Sequence, residues 1–374
     1  MKVLIIANVY PNKYGWSDGI FIAEQVRMLA QMGYTVDVLY LDLRSIRKKR
    51  KWGQEKYRDG NNDIYHYSLP CGPIPALHDL LYIAVQNLAL KKYMRQVGKP
   101  DVIHGHFYMN GFWAKQIKEK YRIPYVLTEH SSELYNEKVS KGHRYLVTKA
   151  YNNVDCLISV SEALQRRMEK YTNRDIEVVP NVLLSPFRFQ GKSDQNKQEF
   201  VFISVGHIVK SKGMKLLVEC FEQVHKKLPQ TQLVIVGKGT LRQELEDYAH
   251  EKKINVQFTG EVKHEEMPEI YRKCHCFVLP SERETFGVSY IEALACGLPV
   301  IATKCGGPEK FVNEQNGVLI GINDRVELTN AMISMYDNRG NYDSKRISED
   351  ILKKYGAESI GLRISDIYRE CVAK

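Results

Sequence analysis

At 374 residues the chain is too long for one ordinary domain and suits two, and with 44% apolar and 26% charged residues it can bury a core in each. No apolar run approaches the roughly 20 residues that cross a bilayer, and eight scattered cysteines form neither a disulfide framework nor a zinc pattern, so a cytoplasmic protein with no metal or other cofactor is expected. The net charge of +10 is concentrated in residues 1–183, which hold 27 Lys and Arg against 18 Asp and Glu, and with no recognition motif beside that charge nucleic acid is not an expected partner.

Residues 2–8 (KVLIIAN) read as a buried strand rather than a secretion signal, since no small-residue cleavage site follows. The polar turn 10–19 (YPNKYGWSDG) leads into a helix with Ile22, Val26, Leu29 and Ala30 on one face; Gly33 ends it and residues 35–41 form the next strand. This opening lacks the G-x-G-x-x-G dinucleotide fingerprint, but Gly15 and Gly19 allow close backbone approach. The densest basic cluster, residues 44–51 (RSIRKKRK), starts at Arg44 and is followed by Trp52. A basic patch with an interfacial aromatic suits anionic lipid headgroups or a polyanionic acceptor, and a solvated loop fits the same residues. A strand over 64–68, a rigid loop over 70–75 and a helix over 76–97 carry the chain to a strand at 101–104, whose end presents His104 and His106. The strand over 123–128 ends in Glu129 and His130; a strand over 156–160 with a helix cap at Ser161 and a strand over 176–180 complete a first domain.

The polar run 191–199 (GKSDQNKQE) reads as a linker, giving a first domain over 1–183, a linker over 184–198 and a second domain over 199–355. The closing segment, 356–374, is amphipathic with Ile360, Ile364, Ile367 and Tyr368 on one face. Within the second domain a strand over 200–205 leads through Gly206 and His207 to Lys212, Gly213 and a helix over 214–227. Strands at 233–236 and 256–260 and helices at 241–250 and 267–273 follow. Cys274 and Cys276 lie at the next strand, with no second pair spaced to complete a zinc site. That strand, 276–280, leaves through the loop 281–285 into a helix over 287–296, and a further strand over 299–303 ends in the turn 306–308.

In parallel sheets ligands bind at the carboxyl edge, where a helix start offers free N–H groups and a positive dipole end to a phosphate. Phe286, Gly287 and Val288 supply those groups, after Thr285. Glu284 precedes them and Glu292 lies two turns further on; two carboxylates beside a phosphate make sense when they accept hydrogen bonds from neutral sugar hydroxyls on either side of it. A nucleotide sugar has that arrangement.

The segment SERETFGVSYIEALACGLPVIATKCGGPE resembles the signature of the retaining glycosyltransferases of family 4, with its paired glutamates, Phe-Gly, Glu-Ala, Gly-x-Pro-Val and Gly-Gly-x-x-Glu-like tail in register. The resemblance implies the GT-B fold, an α/β architecture of two Rossmann-like domains with parallel sheets facing across a cleft, the donor held by the second and the acceptor by the first. It implies that Glu284 binds the donor hexose, Glu292 the ribose, and Lys212 the diphosphate, with the 285–288 backbone at the helix start. His207 stands where the family usually has Arg. Gly19 becomes a diphosphate contact, His106 faces the donor sugar and the acceptor, and Glu129 and His130 lie on the acceptor side. The base is contacted by the backbone of residues 261–264, which leaves UDP and GDP unseparated, and the last helix returns to the first domain. The implied reaction is retaining, metal-independent transfer of a hexosyl group from a nucleotide sugar to an acceptor hydroxyl; the basic first domain suggests that the acceptor is a glycan or lipid-linked glycan, as in surface polysaccharide assembly at the inner face of the cell membrane. A non-hydrolysing epimerase, a pyridoxal-dependent phosphorylase and a non-catalytic nucleotide-sugar-binding protein remain as alternatives.

Overall fold

Short apolar strands that alternate with one-sided helices can bury both faces only as a parallel sheet clothed with helices, and this chain does so twice. The computed structural model describes residues 1–13, 15, 18–45, 51–72, 74–135, 140–184, 186–191 and 199–374. They divide into one unit made of residues 1–182 with 357–374 and a second made of residues 183–356.

The first unit begins with β1 (Lys2–Ala7), α1 (Ile20–Gln31), β2 (Thr35–Ser45), β3 (Gly53–Asp59), β4 (Asn62–Cys71), α2 (Pro75–Gln96) and β5 (Val102–His106). It continues through α3 (Ala114–Tyr121), β6 (Tyr125–Glu129), α4 (Lys141–Asn153), β7 (Cys156–Ser159), α5 (Glu162–Met168) and β8 (Glu177–Val178). The strand order is β3-β4-β2-β1-β5-β6-β7-β8, parallel except that β3 runs antiparallel to β4. The order reverses between β1 and β5, so the carboxyl ends of those two strands flank the crevice where such sheets take ligands.

The β3–β4 hairpin departs from the sequence reading, which has only a strand over 64–68 after the basic segment. Gly60, at φ +61°, and Asn61 make its two-residue turn, a recognised hairpin signal; β3 escapes a hydrophobic search because it is a charged edge strand, GQEKYRD.

The second unit comprises β9 (Phe200–Val205), α6 (Met214–Lys227), β10 (Thr231–Val236), α7 (Arg242–Glu251), β11 (Val256–Gly260), α8 (Met267–Arg272), β12 (Cys276–Leu279) and α9 (Val288–Ala295). It ends with β13 (Val300–Thr303), β14 (Gly317–Ile320), α10 (Arg325–Asp337) and α11 (Ser344–Tyr355). Its sheet, β11-β10-β9-β12-β13-β14, is parallel throughout and reverses order between β9 and β12.

Leu183, read as the end of the first domain, and part of the segment read as a linker pack in this second unit. The Leu183 N–H donates to the Tyr355 carbonyl at 2.8 Å, the Phe189 N–H donates to Ser348 Oγ at 3.0 Å, and Phe187 is fully buried. Burying one Phe contributes roughly 1.5–3 kcal/mol, enough to hold a polar stretch down at one point. Residues 192–198 lie outside the described residues.

The chain returns to the first unit as α12 (Ala357–Ala373), which packs with α1. Its Ile360, Ile364 and Tyr368 are buried, and the Tyr368 hydroxyl meets His104 Nδ1 at 2.7 Å.

Candidate functional site

In the second unit the reversal of strand order sets the loop after β9 beside the loop after β12. Lys212, at the end of the 3-10 turn Lys210–Lys212, extends its ammonium to Glu284 Oε1 at 2.7 Å, and Ser281 Oγ donates to the same oxygen at 2.7 Å. The Glu284 backbone bridges to Gly306 in parallel fashion, which fixes the loop against the turn that follows β13. Glu284 is 8% exposed, while the Lys212 side chain keeps 27% of its surface in water. A nearly buried carboxylate thus has a half-hydrated cation as its partner, so that partner can turn to a second anion without first being dug out of a core.

The next residues divide by role. Phe286 is a core side chain, its ring 5.8 Å from Phe311 and 5.6 Å from Tyr355, so it offers a ligand only its backbone. Gly287 caps α9 at φ +100°, and a Cβ there would lie 2.8 Å from the Tyr290 ring. Thr285 and Val288 are half-buried. The first amides of α9 have no carbonyl of their own helix to bond, so they and the dipole form a positive end directly after Glu284. His207 is exposed at the end of β9.

Glu292 sits elsewhere on α9, away from the Lys212 pair. One of its oxygens lies 2.9 Å from His264 Nε2, and the other accepts from the Tyr271 hydroxyl at 3.1 Å. Burial, and then the charge of Glu292, push the Tyr271 phenol well above its ordinary pKa, so it is a fixed donor. His264 belongs to the loop read as base-contacting, and its ring lies 4.7 Å from that of Phe187. Sequence reasoning found Glu292 but neither of its partners, because contacts across 21 and 28 residues leave no local pattern.

In the first unit the corresponding switch point lies between the loop after β1 and the end of β5. Gly19 caps α1 at φ +71°, and a Cβ on it would come within 2.7 Å of the Val9 carbonyl oxygen, so only glycine lets the loop enter the helix at this angle. The loop is tied to β3 of the hairpin and to β2. Tyr10 donates to Asp59 at 2.9 Å, Tyr57 donates to the Pro11 carbonyl at 3.1 Å, and Arg44 joins Asp18 and buried Asp42, each at 2.8 Å. Arg44, read as the start of an outward basic patch, therefore turns inward; residues 46–50 of that patch lie outside the described residues.

At the end of β5, His104, His106 and His130 form a stacked, buried row. His106 Nδ1 is 3.0 Å from His130 Nε2, and the rings of His104 and His106 stack at 4.6 Å. Burial pushes His106 down to about 3 and holds His104 and His130 well below the usual histidine range, so all three are neutral. Among the described residues, His106 Nε2 finds no hydrogen-bond partner although it is buried. A buried ring nitrogen without a partner is an exception to the rule that buried polar atoms are hydrogen-bonded.

Glu129, read as an acceptor-side residue, is the hub of the turns around this row. It accepts from the N–H groups of Tyr108, His130 and Ser131 and from the hydroxyls of Ser131 and Tyr151, all between 2.6 and 3.1 Å. Burial raises its pKa, and those hydrogen bonds offset part of the rise. One of them restrains Tyr108, which follows Phe107, a non-glycine residue at φ +69° and ψ +146°, a region nearly reserved for glycine that costs about 1–3 kcal/mol. Neither the strain at Phe107 nor the Tyr151 bond could be anticipated from the sequence.

Comparison with known proteins follows the same division. The model described as Glycosyltransferase Family 4 matches residues 19–183, and that described as Glycosyl transferases group 1 matches residues 187–356. TuaC of Bacillus subtilis (strain 168), a glycosyltransferase provisionally assigned to teichuronic acid biosynthesis, is 28% identical over 344 residues, covering 86% of this chain and 85% of its own. Among solved structures, sucrose-phosphate synthase of Thermosynechococcus elongatus superposes with a TM-score of 0.81 at 21% identity, over 100% of this chain and 99% of its own. HepE of Anabaena in complex with UDP-glucose superposes at 0.72 and 18% identity, over 99% and 100%. Both likenesses concern the fold, two parallel-sheet α/β domains of the GT-B kind.

Proposed function

The chain belongs to the family 4 (group 1) glycosyltransferases, and from that premise we propose that it moves a hexosyl group from a nucleotide sugar to a hydroxyl of a glycan or lipid-linked glycan, with retention at the anomeric carbon, in the assembly of a surface polysaccharide. The observation that carries this reading is the Lys212–Glu284–Ser281 constellation at the switch point of the second unit, beside the amino end of α9. HepE, of the same fold, is solved with UDP-glucose, which supports UDP as the first nucleotide to try.

In this reading the diphosphate lies against the α9 amides and draws Lys212 toward it, Glu284 accepts from hexose hydroxyls, and Glu292, steadied by His264 and Tyr271, accepts from the ribose. Charge that develops on the leaving diphosphate is met by Lys212 and the helix end, preorganised groups that need no metal ion. Exposed His207 adds less than the usual Arg, since imidazole is only partly charged near neutrality and cannot grip an anion with two parallel bonds. On the acceptor side, His106 Nε2 meets the incoming hydroxyl, His130 sets the tautomer of His106, and Glu129 holds the turns that carry both. Gly19, proposed as a donor-binding residue, sets the course of the loop after β1 into α1. Attachment to an anionic membrane, read first from the segment Arg44 to Trp52, is part of the proposal; TuaC's provisional pathway supports the polysaccharide role.

The test is a thermal-shift panel with UDP, GDP, ADP and their sugars in EDTA. A ligand at a hundred times its Kd stabilises by about 2.7 kcal/mol. Stabilisation by one nucleotide, lost in Glu292→Ala, is expected, followed by an α-linked product from an α-linked donor. An epimerised sugar formed without any acceptor, or no response to any nucleotide, would overturn the reading.

A further inference from the structure

The last helix of the chain carries a thiol in its final turn, and a strand of the sheet beneath it starts on another. Parallel register carries His104 of β5 to Val126 of β6, and Val126 to Cys156 at the start of β7, so these side chains share one row on one face of the first sheet. With strands about 4.8 Å apart, Cys156 lies about 10 Å along that row from His104. α12 packs against β5 and β6, and its Tyr368 hydroxyl meets His104 on this face. Cys371 follows Tyr368 by three residues on the same side of the helix and is 7% exposed. α12 therefore crosses the row with Tyr368 at the His104 end and Cys371 at the other, where the Cys371 and Cys156 thiols share a hydrogen bond.

This pair differs from the thiols of the second unit. There Cys220, Cys274 and Cys276 donate to the carbonyls of Arg325, Ile270 and Phe277, and burial pushes Cys274 and Cys305 up to about 12, which keeps them protonated and unreactive. At Cys371 the bond from Cys156 lowers the pKa; burial, Asp155 and Glu370 oppose that, and the Lys374 ammonium assists it. The same bond raises Cys156, so the proton stays there while Cys371 takes the thiolate. Both sulfurs are within reach of a small reagent. Cys156 is half-buried, and Cys371 lies between exposed Glu370 and Val372 in the last turn of α12, where helices open most readily.

We propose that Cys156 and Cys371 form a redox-active dithiol, which a small-molecule disulfide such as glutathione disulfide converts into a disulfide that staples α12 to β7. The Cys371 thiolate attacks one sulfur of glutathione disulfide, whose S–S bond breaks to release one glutathione thiolate and leave a mixed disulfide on Cys371. Cys156 gives its proton to that thiolate, attacks Cys371 Sγ and expels the second glutathione as a thiolate. Two protein thiols are thereby oxidised and one glutathione disulfide is reduced to two glutathione molecules. The new bond joins residues 215 positions apart, and the constraint it places on the unfolded chain grows with that separation. In the folded chain it fixes the turn of α12 that holds Tyr368 against His104. The inference stands apart from the donor and acceptor reading, since neither thiol belongs to the residues assigned there.

The experiment exposes the folded full chain to excess glutathione disulfide, quenches it with iodoacetamide, and maps the thiols by mass spectrometry of its peptides. Loss of two of the eight thiols is expected, with one cross-linked peptide pair containing Cys156 and Cys371. The Tm of the oxidised protein should rise by about 5 °C and return to its starting value in dithiothreitol. Cys156→Ser should lack the cross-link and instead accumulate a single glutathione adduct on Cys371; Cys371→Ser should lack both. The wild-type map alone decides the matter if either variant folds poorly. Eight thiols left intact, a cross-link between other cysteines, or a glutathione adduct that persists on the wild-type protein would each overturn the proposal. A UDP response does not bear on it, so the donor reading stands or falls by its own thermal-shift panel.

Discussion

Replacing Glu284 by Gln should make the protein bind a nucleoside diphosphate more tightly while making it a worse transferase. The substitution keeps the side chain's length and its bond with Ser281 but removes the charge that engages Lys212 at 2.7 Å. At an effective dielectric near 20 the bare attraction over that distance is about 6 kcal/mol. The Lys212 side chain is 27% exposed, however, so hydration and ions return most of it, and about 1 kcal/mol is the net to expect. A diphosphate has to draw Lys212 away from this pair, so its removal should lower the Kd for UDP about fivefold, an advantage that shrinks as salt rises. Transfer falls in the same variant, because an amide orients hexose hydroxyls less well than a carboxylate. Titration calorimetry with UDP at two salt concentrations measures the first effect and product formation the second. A UDP affinity that drops in Glu284→Gln, in protein of unchanged Tm, would refute the competition between carboxylate and phosphate for Lys212.

Two further outcomes follow from the first unit. His104, His106 and His130 have native pKa values below the unfolded one, His106 near 3 against about 6.5. The unfolded chain therefore takes up protons first as pH falls, and stability, complete above about 6.5, declines toward 3 by as much as about 1.4 kcal/mol per pH unit per histidine. Glu129, raised by burial, works in the opposite direction above its unfolded pKa, one group against three. Tm should thus fall between pH 7 and pH 4.5 and fall less in His106→Gln; a flat profile would contradict a buried neutral row. Arg44→Ala leaves fully buried Asp42 without its 2.8 Å partner and should cost about 3 kcal/mol in urea unfolding, with Asp42→Asn added to it recovering part of the loss. A loss under 1 kcal/mol would mean that His66, 3.5 Å from Asp42, suffices to hold that charge.

The second unit was the more legible in the sequence. β9, α6 and β11 occupy the residues read for them, since apolar β-branched runs and one-sided helices with glycine stops are local signals. The segment from Ser281 to Glu309 also singled out Glu284 and Glu292, because they stand at fixed spacing along one loop and one helix. What the sequence hid is mostly pairing at a distance. That Lys212 and Glu284 touch requires the β9–β12 neighbour relation, which only the strand order supplies. The partners of Glu292 and Glu129 come from other elements, and the φ of Phe107 is set by bonds from β6 and the turn after it. β14, α10 and α11, like α3, carry neither a strong period nor a motif that a sequence reading can use.

The assignment of α12 to the first unit bears on how the chain is made. The buried imidazole of His104 has the Tyr368 hydroxyl as a partner, across 264 residues of sequence. On a ribosome adding about 5–20 residues per second, residues 183–356 take roughly ten to thirty-five seconds to appear. Through that interval the first sheet has emerged while the helix that packs with α1 has not. The second unit, continuous in sequence, can close first, and the first must wait with an apolar face open to holdase chaperones. A nascent chain stalled before residue 357 should accordingly be far more protease-sensitive in residues 1–182 than the released protein.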